Sequence, residues 1–302
     1  MRYRRRLANY RSFRRRLPVP LLTVELAFDS GFELDAGDAD ILIQRHGGAV
    51  LWQKERLLNI ALQSLPAECT QIAWLDCDIS FERSDWPVRV AEALARFALV
   101  QPFHHFHHLP PDTGAAEATR ESAILNGPSV AAALASGQAR DTLFRRVADR
   151  EPGCASPGLA WAASRELLER HGFYDASIVG GGDTAMACAA FGAWKYAIEV
   201  HRMNAWQRAR YLDWARPFYE AVRGAVTFVE GDIFHLWHGA IEDRRGRARH
   251  AGLAHFDFDP ATDIAIGEDG CWRWATDKPQ LHRYVRDYFA SRRDDGYEDE
   301  SG

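Results

Sequence analysis

The spacing of apolar residues predicts alternating strands and helices in the first third of the chain. Apolar, β-prone runs at 21–28, 40–44 and 71–75 predict three strands. Between the last two, apolar residues at helical spacing predict a helix over 53–64 that ends before Pro66. Because strands that alternate with helices are typical of α/β proteins, we expect an α/β sheet whose strands are largely parallel.

The remaining elements follow from the same patterns, with one long loop among them. Helices are predicted over 9–17, 86–97, 183–191, 211–222 and 278–292, a strand then a helix over 159–170, and a strand over 195–200. Residues 109–123 are polar and show no periodic spacing of apolar residues, which predicts a loop. Loops of this length often act as lids over a binding site. We expect one domain over 1–302, with a basic helix within 1–20 and a loop-rich C-terminal portion over 240–302.

Composition narrows the class of protein. Of the 302 residues, 47% are hydrophobic and 26% are charged, which fits a globular protein with a full core. No stretch reaches the roughly 20 apolar residues of a membrane-spanning helix. We therefore expect a cytoplasmic protein, free or peripheral to a membrane. The five cysteines are scattered singly, which predicts reduced thiols rather than a disulfide framework.

The two ends of the chain carry opposite charge. Eight arginines lie within the first sixteen residues, whereas the tail from Asp294 to Glu300 is acidic. A basic N-terminus occurs in nucleic-acid-binding arms, in patches that bind anionic lipid, and on the solvated faces of helices. A non-catalytic nucleic-acid-binding protein is therefore one alternative function.

Two carboxylates follow the strand predicted at 71–75. Asp76 and Asp78 stand at its C-terminal end, the edge where open α/β sheets place their ligands. Oxygen ligands suit Mg²⁺ or Mn²⁺, and such an ion can bridge a pyrophosphate. Acidic pairs also occur in turns and as helix caps, so the pair alone leaves a structural role open.

Three further motifs are candidates for chemistry. His235 and His238 are three residues apart and share a face in a helical turn or a tight loop, where they would bind Mn²⁺ or Zn²⁺ or simply pack. The glycines at 180–182 permit close approach of a ligand, and Asp183 would cap the next helix or act as a general base. The histidine-rich run at 104–108 is expected to be an acceptor-side or plain loop.

The order of these motifs resembles that of the β-1,4-galactosyltransferases and N-acetylgalactosaminyltransferases of the GT-A fold. The stretch 53–62 and the acidic segment 76–78 resemble that family's helix and Asp-x-Asp motif. The glycine turn before Asp183 stands where the family has its acceptor loop, and the spacing of His235 and His238 matches its late metal segment. The similarity covers roughly residues 40–240, through short motifs.

This sequence departs from the family pattern at two points. Asp183 is followed by Thr184 and Ala185, whereas the family has consecutive acidic residues in its acceptor loop. In the family, a strand that ends in a uridine-contacting segment precedes the helix that is predicted here at the N-terminus. Either that strand is missing here, or the nucleotide is held differently, for example by arginines on its phosphates. The identity of the base and the way in which the nucleotide is held are therefore open.

The resemblance implies a fold, a reaction and a site. The fold would be a GT-A-like, Rossmann-like mixed central sheet flanked by helices. The reaction would transfer a hexose or N-acetylhexosamine, with inversion, from a UDP-like nucleotide sugar to a hydroxyl of a glycan, a glycolipid or a modified nucleic acid. Asp78, His235 and His238 would bind Mn²⁺ or Mg²⁺, and Asp183 would be the base. The residues implied in donor binding are Asp76, Asp78, Lys54, Arg56, Asn59, Trp161, Gly181 and Gly182. A metal-dependent phosphohydrolase or nucleotidyltransferase could use the same groups and is a second alternative.

Overall fold

Strands and helices alternate along the chain in the computed structural model, which describes residues 3–28, 31–293 and 295. The strands in this part of the chain are β1 (Leu22–Ala27), β2 (Ile41–His46), β3 (Gln71–Leu75), β4 (Ile79–Phe81), β5 (Leu99–Gln101), β6 (His105–His108), β7 (Leu125–Pro128), β8 (Ala160–Ser164), β9 (Val226–Phe228), β10 (Asp232–His235), β11 (Ile264–Ile266) and β12 (Trp272–Trp274). The helices are α1 (Arg4–Arg16), α2 (Lys54–Ser64), α3 (Trp86–Leu94), α4 (Val130–Ala135), α5 (Arg140–Asp149), α6 (Arg165–His171), α7 (Gly182–Ala190), α8 (Trp194–Val200), α9 (Ala205–Val222), α10 (Gly246–Leu253) and α11 (Pro279–Ala290).

The strands pair in mixed sheets. One four-stranded sheet has the order β3-β8-β5-β9 and another has the order β4-β10-β6-β7. In the first, β8 is antiparallel to both of its neighbours, while β5 and β9 are parallel. In the second, only β10 and β6 are parallel. The α/β class with a mixed sheet is thus confirmed. The expectation of largely parallel strands is wrong, because an apolar run predicts burial and not the direction of the neighbouring strand.

The two largest clusters of buried apolar side chains lie around the first sheet and in the C-terminal portion. In the larger one, Trp74 of β3, Leu99 of β5 and Trp161 of β8 pack with the helices between α4 and α9. In the second, Trp272 and Val285 pack against Val179, just before α7. The C-terminal portion therefore buries apolar surface of its own and is anchored next to the glycine turn.

Two predicted elements are wrong. The stretch 195–200 belongs to helix α8 rather than a strand, because Tyr196, Ala197 and Val200 recur at helical spacing and are buried. The histidine-rich run is not a loop, since its last four residues form strand β6 between β10 and β7. The loop predicted over 109–123 is confirmed, because those residues contain neither helix nor strand.

The arginine-rich N-terminal segment is folded onto the rest of the chain. Helix α1 buries Tyr10 and Phe13, and two of its arginines, Arg11 and Arg14, form ion pairs with Asp38 and Asp40. Most of the acidic tail predicted at the other end lies outside the described residues. None of the helices that the structure describes has the length and apolarity needed to cross a membrane.

Candidate metal centre

Asp78, His235 and His238 meet at one edge of the second sheet. The distance from His238 Nε2 to Asp78 Oδ2 is 3.0 Å, and that from His235 Nε2 to Asp78 Oδ1 is 3.5 Å. One potential ligand atom from each residue lies within 4.8 Å of the others, and all three residues are buried. No other group of this kind occurs among the residues that the structure describes.

The pairing of β4 with β10 brings the two motifs together. Asp78 immediately precedes β4, and His235 ends β10 opposite Ile79 in the antiparallel register. The backbone N–H of Leu236 donates to the carbonyl oxygen of Asp78 at 2.7 Å, which fixes the loop that follows β10. His238 lies in this loop, so the two histidines face Asp78 from a strand end and a tight loop rather than from a helical turn.

The electrostatics of this group suit a divalent cation. Burial opposes the charge on Asp78, but His235 and His238 hold the pKa of its carboxyl well below the usual value. Burial lowers the pKa of His235, which favours the neutral imidazole that binds metals. Asp78 Oδ1 is buried and has no hydrogen-bond partner in the described part of the chain. A buried carboxylate oxygen is costly unless a partner satisfies it, so these residues fit a bound cation.

Two side chains that sequence reasoning did not assign to this centre contact its histidines. His108 Nδ1 lies 2.9 Å from His235 Nδ1, because His108 and His235 face each other in the parallel register of β6 and β10. Burial, with Arg244 nearby, lowers the pKa of His108 to about 4. A neutral His108 can accept the Nδ1 proton of His235 and leave Nε2 free for a metal. Arg244 Nη2 lies 2.8 Å from His238 Nε2.

Lys54 joins two of the predicted carboxylates. Its Nζ lies 2.6 Å from Asp76 Oδ1 and 3.1 Å from Asp183 Oδ1. Lys54 begins α2 and Asp183 lies in the first turn of α7, so one ammonium group connects two helices and the end of β3. Burial opposes the charge on Lys54, but Asp183, Asp76 and Glu55 hold its pKa well above the usual value. The structure thus brings together three of the predicted site residues, Lys54, Asp76 and Asp183.

The glycine turn packs tightly against α2. A Cβ on Gly182 would collide with the carboxylate of Glu55, and Glu55 Oε2 accepts a hydrogen bond of 2.7 Å from Trp52 Nε1. Burial raises the pKa of Glu55 to about 7, and Asp183 contributes to that rise against the opposing effect of Lys54. Sequence reasoning missed Glu55, although a signal was present. Its position on the same helical face as the apolar residues three and seven positions later marks a carboxylate on the inward side of α2.

Three residues that were expected to bind the donor contact other parts of the protein instead. Trp161 is only 1% exposed in the core and donates from Nε1 to the carbonyl of Pro157 at 2.9 Å, so the expectation that it takes part in donor binding is wrong. Arg56 donates to the carbonyl of Gly270 at 2.7 Å. Asn59 forms hydrogen bonds with both the N–H and the C=O of Phe173. Arg56 and Asn59 thus brace α2 against neighbouring loops.

Helix α1 supports the loop that contains His238. Asn9 Nδ2 donates to the carbonyl of Trp237 at 3.0 Å, and the guanidinium of Arg5 lies 4.7 Å from the centre of the Trp237 ring. A cation over an indole ring is a favourable contact. Part of the basic N-terminus is therefore built into the wall of the candidate centre.

The sequence matches no protein-family model, and no curated protein is similar enough to count as a relative.

Proposed function

We propose that this chain is a metal-dependent glycosyltransferase of the GT-A type that uses a nucleotide-sugar donor. The observation that carries the proposal is the convergence of two motifs distant in sequence, Asp78 with His235 and His238, beside the Lys54-linked pair of Asp76 and Asp183. A cation centre next to a solvent-accessible carboxylate provides one group for a leaving phosphate and another for a hydroxyl proton.

The roles of the residues follow from their chemistry. Asp78, His235 and His238 would hold Mn²⁺ or Mg²⁺, whose contribution is to neutralise charge on the departing nucleoside diphosphate. Asp183 would accept the proton of the acceptor hydroxyl while that oxygen bonds to the anomeric carbon. The bond from that carbon to the phosphate oxygen breaks, and its electron pair leaves with the diphosphate. This single displacement inverts the anomeric carbon.

Lys54 would position both carboxylates during this reaction. Its ammonium group contacts Asp76 and Asp183 together, so it fixes the distance between the donor side and the acceptor side. The acceptor class is a hydroxyl of a glycan, a glycolipid or a modified nucleic acid. A phosphohydrolase or nucleotidyltransferase that uses the same groups is the alternative, and it would form no glycosylated product.

A donor screen tests the proposal. The purified chain is incubated with Mn²⁺ and single nucleotide sugars, and release of nucleoside diphosphate is recorded with the Asp78→Ala and His238→Ala variants alongside. His107→Ala is the matched control, because His107 is a buried histidine that pairs with Asp232 instead. Release from one donor that is lost in both test variants and kept in the control supports the proposal. Release that persists without Asp78, or none from any donor, would overturn it.

A further inference from the structure

Five basic side chains gather next to the metal centre, around the start of α7. This basic cluster consists of Arg150, Arg244, Arg249, His201 and His250. Arg249, His201 and His250 are buried, whereas the side chain of Arg150 reaches solvent. The rings of His201 and His250 stack with their centroids 4.2 Å apart. The cluster is therefore a buried group of cations and imidazoles with an opening at Arg150.

In the part of the chain that the structure describes, the guanidinium groups of Arg150 and Arg249 form no ion pair with a carboxylate. Arg249 contacts His250 Nε2, the carbonyl of Arg244 and the hydroxyl of Tyr288, all of them uncharged acceptors. Desolvation, together with the charges of Arg249 and Arg244, lowers the pKa of Arg150. Cations held together without an anion are costly.

The start of α7 adds a second, independent feature that favours an anion. Its N-cap is Gly181, which provides no side-chain cap, so the first amide groups of this nine-residue helix have no partner within it. A Cβ on Gly181 would lie 2.5 Å from His201 Nε2, and one on Gly180 would lie 3.5 Å from Arg249 Nη2. The positive end of the helix dipole therefore lies between the basic cluster and the carboxylate of Glu55.

A buried polar atom of the cluster also lacks a partner. His201 Nδ1 has no hydrogen-bond partner among the described residues, although the side chain is buried. Burial, Arg249 and Arg150 lower the pKa of His201 to about 3, so the imidazole is neutral and one of its nitrogens can donate a proton. A ligand oxygen would satisfy such a donor.

We propose that the basic cluster is an oxyanion-binding subsite that takes a phosphate or carboxylate group of a ligand held at the metal centre. Arg244 connects the two, because its guanidinium contacts His238 and its carbonyl accepts from Arg249. Guanidinium groups bind phosphate and carboxylate through two parallel hydrogen bonds. The inference rests on the proposed function only for the source of the oxyanion, which is either the donor's diphosphate or an anionic group on the acceptor.

Binding of inorganic pyrophosphate to the full chain in EDTA tests the subsite without the metal. Isothermal titration calorimetry should detect binding that weakens as salt rises and that becomes about 10- to 100-fold weaker in Arg249→Gln. Arg247→Gln is the matched control, because Arg247 lies in the same helix but pairs with Asp149 at 2.7 Å. Arg150→Gln is the second test variant for the case in which Arg249→Gln does not fold, since Arg150 reaches solvent. No binding by the wild-type chain, or folded test variants that bind as tightly as Arg247→Gln, would overturn the proposal.

The donor assay then identifies the source of the oxyanion. If the cluster binds the donor's diphosphate, Arg150→Gln should raise KM for the nucleotide sugar even when water is the acceptor. If it binds an anionic acceptor, donor hydrolysis should keep its KM and only KM for the acceptor should rise. A chain that binds pyrophosphate in EDTA but releases no nucleoside diphosphate would overturn the proposed function and leave the subsite standing.

Discussion

Replacing Gly181 by any other residue should destabilise the folded chain, and the loss of unfolding free energy can be measured. Its φ is +100°, and a Cβ at this position would lie 2.5 Å from His201 Nε2. A left-handed backbone costs a non-glycine residue about 1–2 kcal/mol, and overpacking a buried site costs about 1–3 kcal/mol more. We therefore expect Gly181→Ala to lower the free energy of unfolding by about 2–5 kcal/mol.

Gly224 provides the control for the backbone contribution. Its φ is +70°, and a Cβ there would meet nothing within 4 Å, so Gly224→Ala should cost only about 1–2 kcal/mol. Urea denaturation of the two variants compares these values under the same conditions. The excess loss in Gly181→Ala measures the contact with His201.

A double-mutant cycle assigns that excess to the imidazole. Replacing His201 by Ala in the Gly181→Ala background should remove the overlap, so the two losses should not add. Equal losses of unfolding free energy in Gly181→Ala and Gly224→Ala would refute the reasoning. So would strict additivity of the two changes in the double variant, because the packing of the glycine turn against the basic cluster would then carry no energy.

Two further predictions concern residues that contact the site. His108→Phe should weaken Mn²⁺ binding by about 10- to 100-fold, as measured by electron paramagnetic resonance. His105→Phe, in the same strand, should leave the affinity for Mn²⁺ unchanged. Equal affinities in the two variants would contradict the role of His108 in orienting His235. For Glu55, the raised pKa of about 7 means that the folded chain keeps a proton that the unfolded chain loses above about 4.5. The unfolding free energy should therefore fall by about 3 kcal/mol as pH rises from 4.5 to about 7. Glu55→Gln should remove that fall. Urea denaturation midpoints that respond to pH equally in the wild-type chain and in Glu55→Gln would contradict this prediction.

The sequence predicts those parts of the fold whose signal is local. The spacing of apolar residues is enough to predict β3 and α2, because the burial of one or both faces of an element determines which positions in its sequence are apolar. It misleads at α8, where β-prone Tyr196 and Val200 are read as a strand although their spacing is that of a helix. The direction of a strand relative to its neighbours depends on residues distant in sequence. The antiparallel pairing of β8 with β3 and β5 is therefore not visible in the spacing of apolar residues.

The same distinction explains which site residues the sequence predicts. Asp78 and His238 belong to short motifs whose residue types already suggest a metal. His108 reaches the site only through pairing with a strand 127 residues away, and Arg249 only through packing against Gly180, which is distant from it in sequence. For His108 a strand assignment would have helped, because β6 beside β10 aligns it with His235.

Charge is distributed unevenly around the start of α7, and this has a consequence for ligand orientation. On one side, Asp76, Asp183 and Glu55 share the single ammonium of Lys54. On the other side lies the basic cluster. A ligand that carries an anionic group and a hydroxyl would gain electrostatic energy in only one orientation, with the anion toward Arg249 and the hydroxyl toward Asp183. The glycines between these regions keep the separation short, because a side chain on Gly181 would displace His201 and one on Gly182 would displace Glu55. Orientation would thus be imposed by charge before any contact with the rest of the ligand forms.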